Sequence, residues 1–148
     1  MNNSIFDNKI LMITLLVWAI TQSIKVSIYV VREKKFNFKW LIGTGGMPSS
    51  HAAGASALAM TCGLETGFHS IYFALAAVFA LVTMFDAQGV RRSAGEQARI
   101  LNQIIDDMYW KGKVEGKKLI ELLGHSPLQV LIGSLLGIAL SYLFYQAW

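Results

Sequence analysis

The sequence predicts an all-α, polytopic integral membrane protein, a helical bundle that forms one domain over residues 1–148. Hydrophobic residues make up 54% of the chain and charged residues only 15%, and the apolar residues lie in long uncharged blocks. Such blocks are typical of small polytopic membrane proteins and argue against a soluble helical bundle with a large core. The formal net charge is +4, and its uneven distribution along the chain indicates the orientation in the membrane.

Four apolar segments are candidates for crossing the bilayer. They are residues 10–31, 48–66, 68–86 and 127–146. A spanning helix needs about 20 residues, so the second and third segments span only when their flanking residues are included. The second is rich in Ala, Gly and Ser from Ala52 to Gly63, and small residues let helices approach closely. It is therefore predicted to be the central helix. Four spans make a thin bundle, which favours a homo-oligomer.

The basic residues predict the orientation of these spans. Eleven of the 13 lie between the first and second spans or in residues 87–126, between the third and fourth. By the positive-inside rule these two segments face the cytoplasm, and both termini face outside. Acidic residues are interleaved with the basic ones, which argues against nucleic-acid binding. Residues 94–109 and 114–123 are predicted to be helical pieces that either lie at the membrane surface or connect and cap the bundle.

The start of the second span has the features of an anion-binding site. A glycine loop precedes Pro48 and two serines, and His51 follows in the first helical turn. Glycine lets the backbone approach a ligand, and the N–H groups and dipole of a helix start attract negative charge. The predicted phosphate-binding residues of this segment are Gly45, Gly46, Ser49 and Ser50.

A second histidine lies beside a similar helix start. His125 precedes Ser126 and Pro127 at the start of the fourth span, and Ser and Pro are favoured at helix starts. In the predicted topology both histidines fall at the cytoplasmic membrane face. A lone histidine at a helix start is usually a capping or surface residue, whereas two on one face favour a shared site. Asp86, Arg91 and Arg92 fall at the same face.

Three other residues have weaker signals. Lys25 lies about two turns inside the end of the first span, where an ionisable residue either serves a function or snorkels to the interface; the sequence favours neither. His69, on the predicted outer turn, is assigned a structural role. Cys62 is the single cysteine, so the chain has no intrachain disulfide and no cysteine metal cluster.

The segments 45–51, 86–92 and 124–133 together resemble the divergent, short membrane branch of the type 2 phosphatidic acid phosphatase and vanadium haloperoxidase superfamily. That superfamily has a Pro-Ser-Gly-His motif, matched by residues 48–51 with Ser50 in place of Gly. Its later HxPxDVxxG motif is matched by residues 125–133 with Gln129 in place of Asp. The resemblance covers nearly the whole chain. It implies a phosphomonoester hydrolase that needs no metal or other cofactor, in which His125 attacks phosphorus and His51 protonates the leaving oxygen. The two histidines must then lie within about 10 Å, because each approaches its reacting atom to about 3 Å.

Three departures from the superfamily pattern bear on catalysis and phosphate binding. Gln129 replaces the Asp that orients the nucleophile, so either activity is lower or Asp86 takes that role. Leu119 stands where an upstream Arg is expected, and Arg91 and Arg92 are the best candidates to neutralise phosphate because guanidinium binds it bidentately. The basic residue of the first motif has no clear match; Lys25, Lys35 or Lys39 is its candidate.

These features predict a phosphatase of membrane lipid phosphates, of the phosphatidate or phosphatidylglycerol phosphate type, that acts at the cytoplasmic face. Its partners would be the lipid phosphate and the surrounding membrane lipids. The alternative is a weakly active or inactive relative that binds phosphate headgroups, with Gln129 as the mark of lost catalysis. A small transporter ranks third, because no internal repeat or broken helix pair supports it.

Overall fold

The computed structural model describes residues 4–42, 46–110 and 124–148, and the regular structure in these ranges is helical. A short 3-10 turn, Ile5–Asp7, precedes helices α1 (Lys9–Glu33), α2 (Lys39–Ile42), α3 (Ser50–Thr66), α4 (Ile71–Gln88), α5 (Val90–Trp110) and α6 (Pro127–Ala147). The predicted all-α fold is confirmed.

Helices α1, α3, α4 and α6 correspond to the four apolar segments. Each begins at a polar N-cap whose side chain accepts a backbone N–H of the first turn, which satisfies a donor that has no partner within the helix. The described residues contain three stretches long and apolar enough to cross a membrane: α1, α6, and Ile71–Asp106. Helix α3 has 17 residues and is not one of the three.

The predicted helical piece 94–109 lies within α5, which begins directly after Gly89 and so follows α4 almost without interruption. The other predicted piece, residues 114–123, lies outside the described residues. The two predicted roles of this helix, lying at the membrane surface or connecting and capping the bundle, stay predictions.

Helix α3 is the centre of the bundle, as its small residues predict. It packs against α1, α4 and α6. Toward α1, Ala53 and Ala57 contact Ile13 and Val17. Toward α4, one cluster holds the small buried side chains Ala55, Ala59, Cys62, Ala76 and Ala80. Because these side chains are short, three neighbours can pack around one helix at close range.

Helices α3 and α6 run side by side in the same direction. A Cβ atom on Gly133 would collide with the carbonyl oxygen of Ser49, and one on Gly137 would collide with that of Ala53. Four residues separate the two glycines and also the two residues they touch, so the contact repeats one helical turn later. The two glycines therefore bring the starts of α3 and α6 together at one end of the bundle.

The outer surface is strongly apolar. On α4 the exposed large side chains are Ile71, Tyr72, Leu75, Val78, Phe79, Leu81, Val82 and Phe85. Such a continuous surface is suited to lipid, because water-soluble monomers rarely expose large apolar patches.

Candidate active site at the starts of two helices

The two histidines come together at the paired starts of α3 and α6. Their ring centroids lie 6.4 Å apart, and the ring planes are inclined by 57°. Nδ1 of His51 and Nε2 of His125 are both buried atoms. This separation is well inside the limit of about 10 Å within which two groups can serve one phosphorus.

Backbone hydrogen bonds hold the two helix starts in register. The N–H of Ser49 donates to the carbonyl oxygen of Gln129 at 3.2 Å, and the N–H of His125 donates to that of Ala87 at 3.1 Å. The first bond joins the two histidine segments directly, and the second joins His125 to the end of α4. Both histidines are thus fixed by main-chain contacts that do not depend on their rings.

Gln129 orients His125. Its Oε1 accepts the backbone N–H of Ser126 at 3.0 Å and lies 3.3 Å from His125 Nδ1. An atom that accepts from a backbone N–H is the amide oxygen, so the hydrogen bond to the ring requires a proton on Nδ1. The neutral ring then has its lone pair on Nε2. Gln129 therefore makes the contact that was expected of an Asp, but without a negative charge.

The same glutamine is part of a helix cap. The Ser126 hydroxyl accepts the Gln129 N–H at 3.4 Å, and Gln129 Oε1 accepts the Ser126 N–H, which is a reciprocal capping box. The spacing Ser126-x-x-Gln129 is the sequence signal of such a cap, and the sequence-based interpretation of Gln129 as a lost Asp overlooked it. Gln129 thus has a structural role as well as its contact to His125.

The two serines before His51 are both buried. Ser49 is the N-cap of α3, and its hydroxyl oxygen accepts the Ala52 N–H at 3.3 Å. Ser50 is 1% exposed and opens the helix. The Ser49 N–H already donates to the carbonyl oxygen of Gln129, and its hydroxyl already caps α3. Ser50 is therefore the better candidate of the two to bind a ligand. Gly46 has φ +80° and lies against the Tyr29 ring, a conformation that favours glycine.

Lys25 lies at the level of this site. Helix α1 runs opposite to α3 and α6: Lys9 lies 3.6 Å from the centre of the Tyr145 ring near the end of α6, while Tyr29 contacts Gly46 before the start of α3. Lys25, one turn before Tyr29, is therefore level with the first turn of α3. Its side chain is 1% exposed, so it lies inside the bundle.

The remaining predicted site residues are Asp86, Arg91, Arg92 and Gly45. Asp86 lies in the last turn of α4, is partly exposed and precedes Ala87, whose carbonyl oxygen binds the His125 N–H. Arg91 and Arg92 occupy the first turn of α5. Gly45 lies outside the described residues. In the described part of the chain, no three side chains of His, Cys, Asp or Glu come together as a metal site.

Two contributors to the site were missed from the sequence. Gly133 and Gly137 set the close approach of α3 and α6, and their Gly-x-x-x-Gly spacing is a known signal for close helix packing in membranes. Ala87 receives the His125 N–H through its backbone, and no side-chain pattern indicates such a contact.

Comparison with known proteins extends over this whole site. A family model described as the Divergent PAP2 family matches residues 6–140. A relative in Bacillus subtilis (strain 168), named "Uncharacterized membrane protein YuiD", is 45% identical over 131 residues, which cover 81% of this chain and 83% of the relative. The comparison with solved structures gave no match.

Proposed function

The chain belongs to the Divergent PAP2 family, and from that membership we propose that it is a membrane phosphatase that hydrolyses lipid phosphate monoesters of the phosphatidate or phosphatidylglycerol phosphate type. The observation that carries the proposal is the pair of histidine rings, 6.4 Å apart, at two adjacent helix starts. Helix starts favour bound anions, and two imidazoles at this distance can flank one phosphoryl group.

The proposed reaction has two steps. His125 Nε2 attacks phosphorus while the bond to the lipid oxygen breaks, and His51 donates a proton to that oxygen. Water then attacks the phosphohistidine, His51 takes a proton from the water, and inorganic phosphate leaves. The contact of Gln129 with Nδ1 supports this direction of attack, because it leaves the lone pair on Nε2.

Positive charge and hydrogen-bond donors would hold the phosphate. Lys25, buried at the level of the first turn of α3, is the proposed cation within the bundle, and Ser50 with first-turn N–H groups supplies donors. Ser49, Gly45 and Gly46 complete the proposed loop around the phosphate. Arg91 and Arg92, at the start of α5, remain the proposed cations from the cytoplasmic segment. Asp86 stays the candidate to supply the negative charge that Gln129 lacks beside His125.

The positive-inside pattern favours a site that faces the cytoplasm, with both termini outside the cell membrane. Lipid phosphates made in the inner leaflet fit this side. A homo-oligomer remains the proposed assembly.

A second function is favoured by one observation. Gln129 provides His125 with an acceptor but no charge, and it also completes the α6 cap, so this site could bind phosphate headgroups without efficient turnover. The two functions differ in whether phosphate is released.

Phosphate release from a panel of lipid phosphates by purified protein tests the proposal. His125→Ala and His51→Ala are expected to abolish release, and His69→Ala is the control because His69 is exposed between α3 and α4. Release that survives both substitutions would end the proposed mechanism. Headgroup binding without release by the unmodified protein would favour the second function.

A further inference from the structure

A groove on the outer surface of the bundle begins at His51. It has a volume of about 370 Å³ and lies between Leu15 and Trp18 of α1, His51 and Gly54 of α3, and Phe79 and Thr83 of α4. One face of each helix contributes to it. The groove thus connects the candidate active site with the lipid-facing surface.

The lining of the groove is apolar apart from the histidine. Thr14 and Thr83 also border it, but their hydroxyls donate to Ile10 and Phe79 carbonyl oxygens of their own helices at 2.7 and 2.8 Å. Donating hydroxyls of this kind have their hydrogen bonds satisfied within the helix. Among the described residues that line the groove, His51 is the only titratable one. A ligand matched to it has an apolar body and a polar end.

The groove is open toward the membrane. Leu15, Trp18 and Phe79 are 50%, 44% and 56% exposed, and they belong to α1 and to the stretch that contains α4, both long and apolar enough to cross a bilayer. Its mouth therefore faces the acyl chains of the surrounding lipid. A chain could enter sideways without leaving the hydrocarbon layer.

We infer that this groove holds one acyl chain of the lipid phosphate, with the phosphate at the His51 end. The inference rests on the proposed function and adds the place of the acyl chain: the chain lies in the groove while the lipid stays in the bilayer.

The groove serves to orient the substrate. Lipid tails are as apolar as the groove, so a chain gains no hydrophobic free energy by moving into it. A chain held along α3 would instead align the headgroup with His51 and His125, and alignment of reacting groups controls the rate of the chemical step.

Paired substitutions test the inference. The double variant Leu15→Trp/Thr83→Trp fills the groove, whereas Leu16→Trp/Val82→Trp adds the same side chains at neighbouring exposed positions outside it. The substrates are dioleoyl phosphatidate in nanodiscs and water-soluble dibutyryl phosphatidate. The groove variant should lose about tenfold or more in kcat/KM for the long-chain substrate only, because its headgroup is misaligned. The outer variant should keep both activities.

Equal activity of the two double variants toward dioleoyl phosphatidate would overturn the inference. An equal loss of kcat/KM toward both substrates in the groove variant would overturn the inference as well. The substitutions would then disturb the catalytic residues and not the position of the acyl chain.

A second measurement does not depend on turnover. A phosphatidate with a diazirine in its acyl chain should label residues 14–18 and 79–83 of the unmodified protein and of the outer variant, but not of the groove variant. Equal labelling of exposed α6 residues such as Leu135 would indicate annular lipid only and overturn the inference, and so would crosslinks from the groove to a second copy. If no substrate is hydrolysed but the groove is labelled, the proposed function fails while the chain site stands.

Discussion

Gln129 Oε1 lies 3.3 Å from His125 Nδ1 and accepts the Ser126 N–H at 3.0 Å. One amide oxygen thus orients the proposed nucleophile and caps the helix that follows it. This double use means that a change at Gln129 affects two properties that can be measured separately.

Gln129→Leu removes the side-chain hydrogen bonds to His125 and Ser126. Gln129→Glu keeps an oxygen that can accept both and adds a negative charge. Leu is expected to lower kcat/KM roughly 10- to 100-fold, the effect of losing about 1–3 kcal/mol of hydrogen bonding. Glu should raise kcat/KM near neutral pH, because a carboxylate stabilises the positive charge that the ring gains as it attacks phosphorus. It should also move the acid limb of the pH profile to higher pH, because the same carboxylate favours the protonated ring. Identical pH profiles for Glu and Gln, with only thermal stability changed in Leu, would assign Gln129 to the cap alone.

Gly133→Ala should separate the starts of α3 and α6, because its Cβ would collide with the Ser49 carbonyl oxygen. We expect a loss of about 1–3 kcal/mol in unfolding free energy, the usual cost of overpacking, together with reduced activity. Gly54→Ala is the matched control: its Cβ would lie 3.5 Å from Trp18 Cδ1, an ordinary contact. Thermal unfolding in detergent compares the two, and equal midpoints would disprove the close-packing account.

Lys25→Met should weaken binding of vanadate, a phosphate analogue, by roughly 10-fold or more, because a charge-assisted hydrogen bond is worth about 1.5–3 kcal/mol. Lys25 is buried whereas Lys35 is exposed, so Lys35→Met should leave binding unchanged. Inhibition constants for vanadate measure the difference. If vanadate inhibits the Lys25→Met and Lys35→Met variants with equal constants, Lys25 is not the cation at the site.

The predicted orientation can be tested with single cysteines. In a Cys62→Ala background, an impermeant maleimide added to intact cells should label Gln146→Cys, and it should label Lys35→Cys only after the cells are opened. Both positions are exposed. The reverse pattern would place the histidines at the outer face and remove the argument for inner-leaflet substrates.

The main helices were predictable because their signals are local. Apolar blocks bounded by Ser or Asn give α1, α3, α4 and α6, and the small residues from Ala52 to Gly63 identify α3 as the helix that others surround. These patterns depend only on neighbours in the chain, which is why the sequence was sufficient.

The site was predictable in part. The Ser-Pro or Pro-Ser context of His51 and His125, with the charge pattern, put both rings at one face. The spacing of Gly133 and Gly137 indicates a closely packed helix but not its partner. The partners of contacts between distant segments were not predictable, such as the Ser49 N–H to the Gln129 carbonyl oxygen and the packing of Gly133 on Ser49. They depend on how two helices meet, which no periodicity within either helix encodes.

The most direct test of the proposed reaction is to trap the phosphohistidine intermediate. Purified protein is mixed with a lipid phosphate carrying labelled phosphorus, quenched in alkali to preserve phosphohistidine, and mapped by mass spectrometry. The proposed phosphohistidine mechanism predicts label on His125, none in His125→Ala, and unchanged labelling in His69→Ala. Phosphate release without label on His125, or label on another residue, would contradict it.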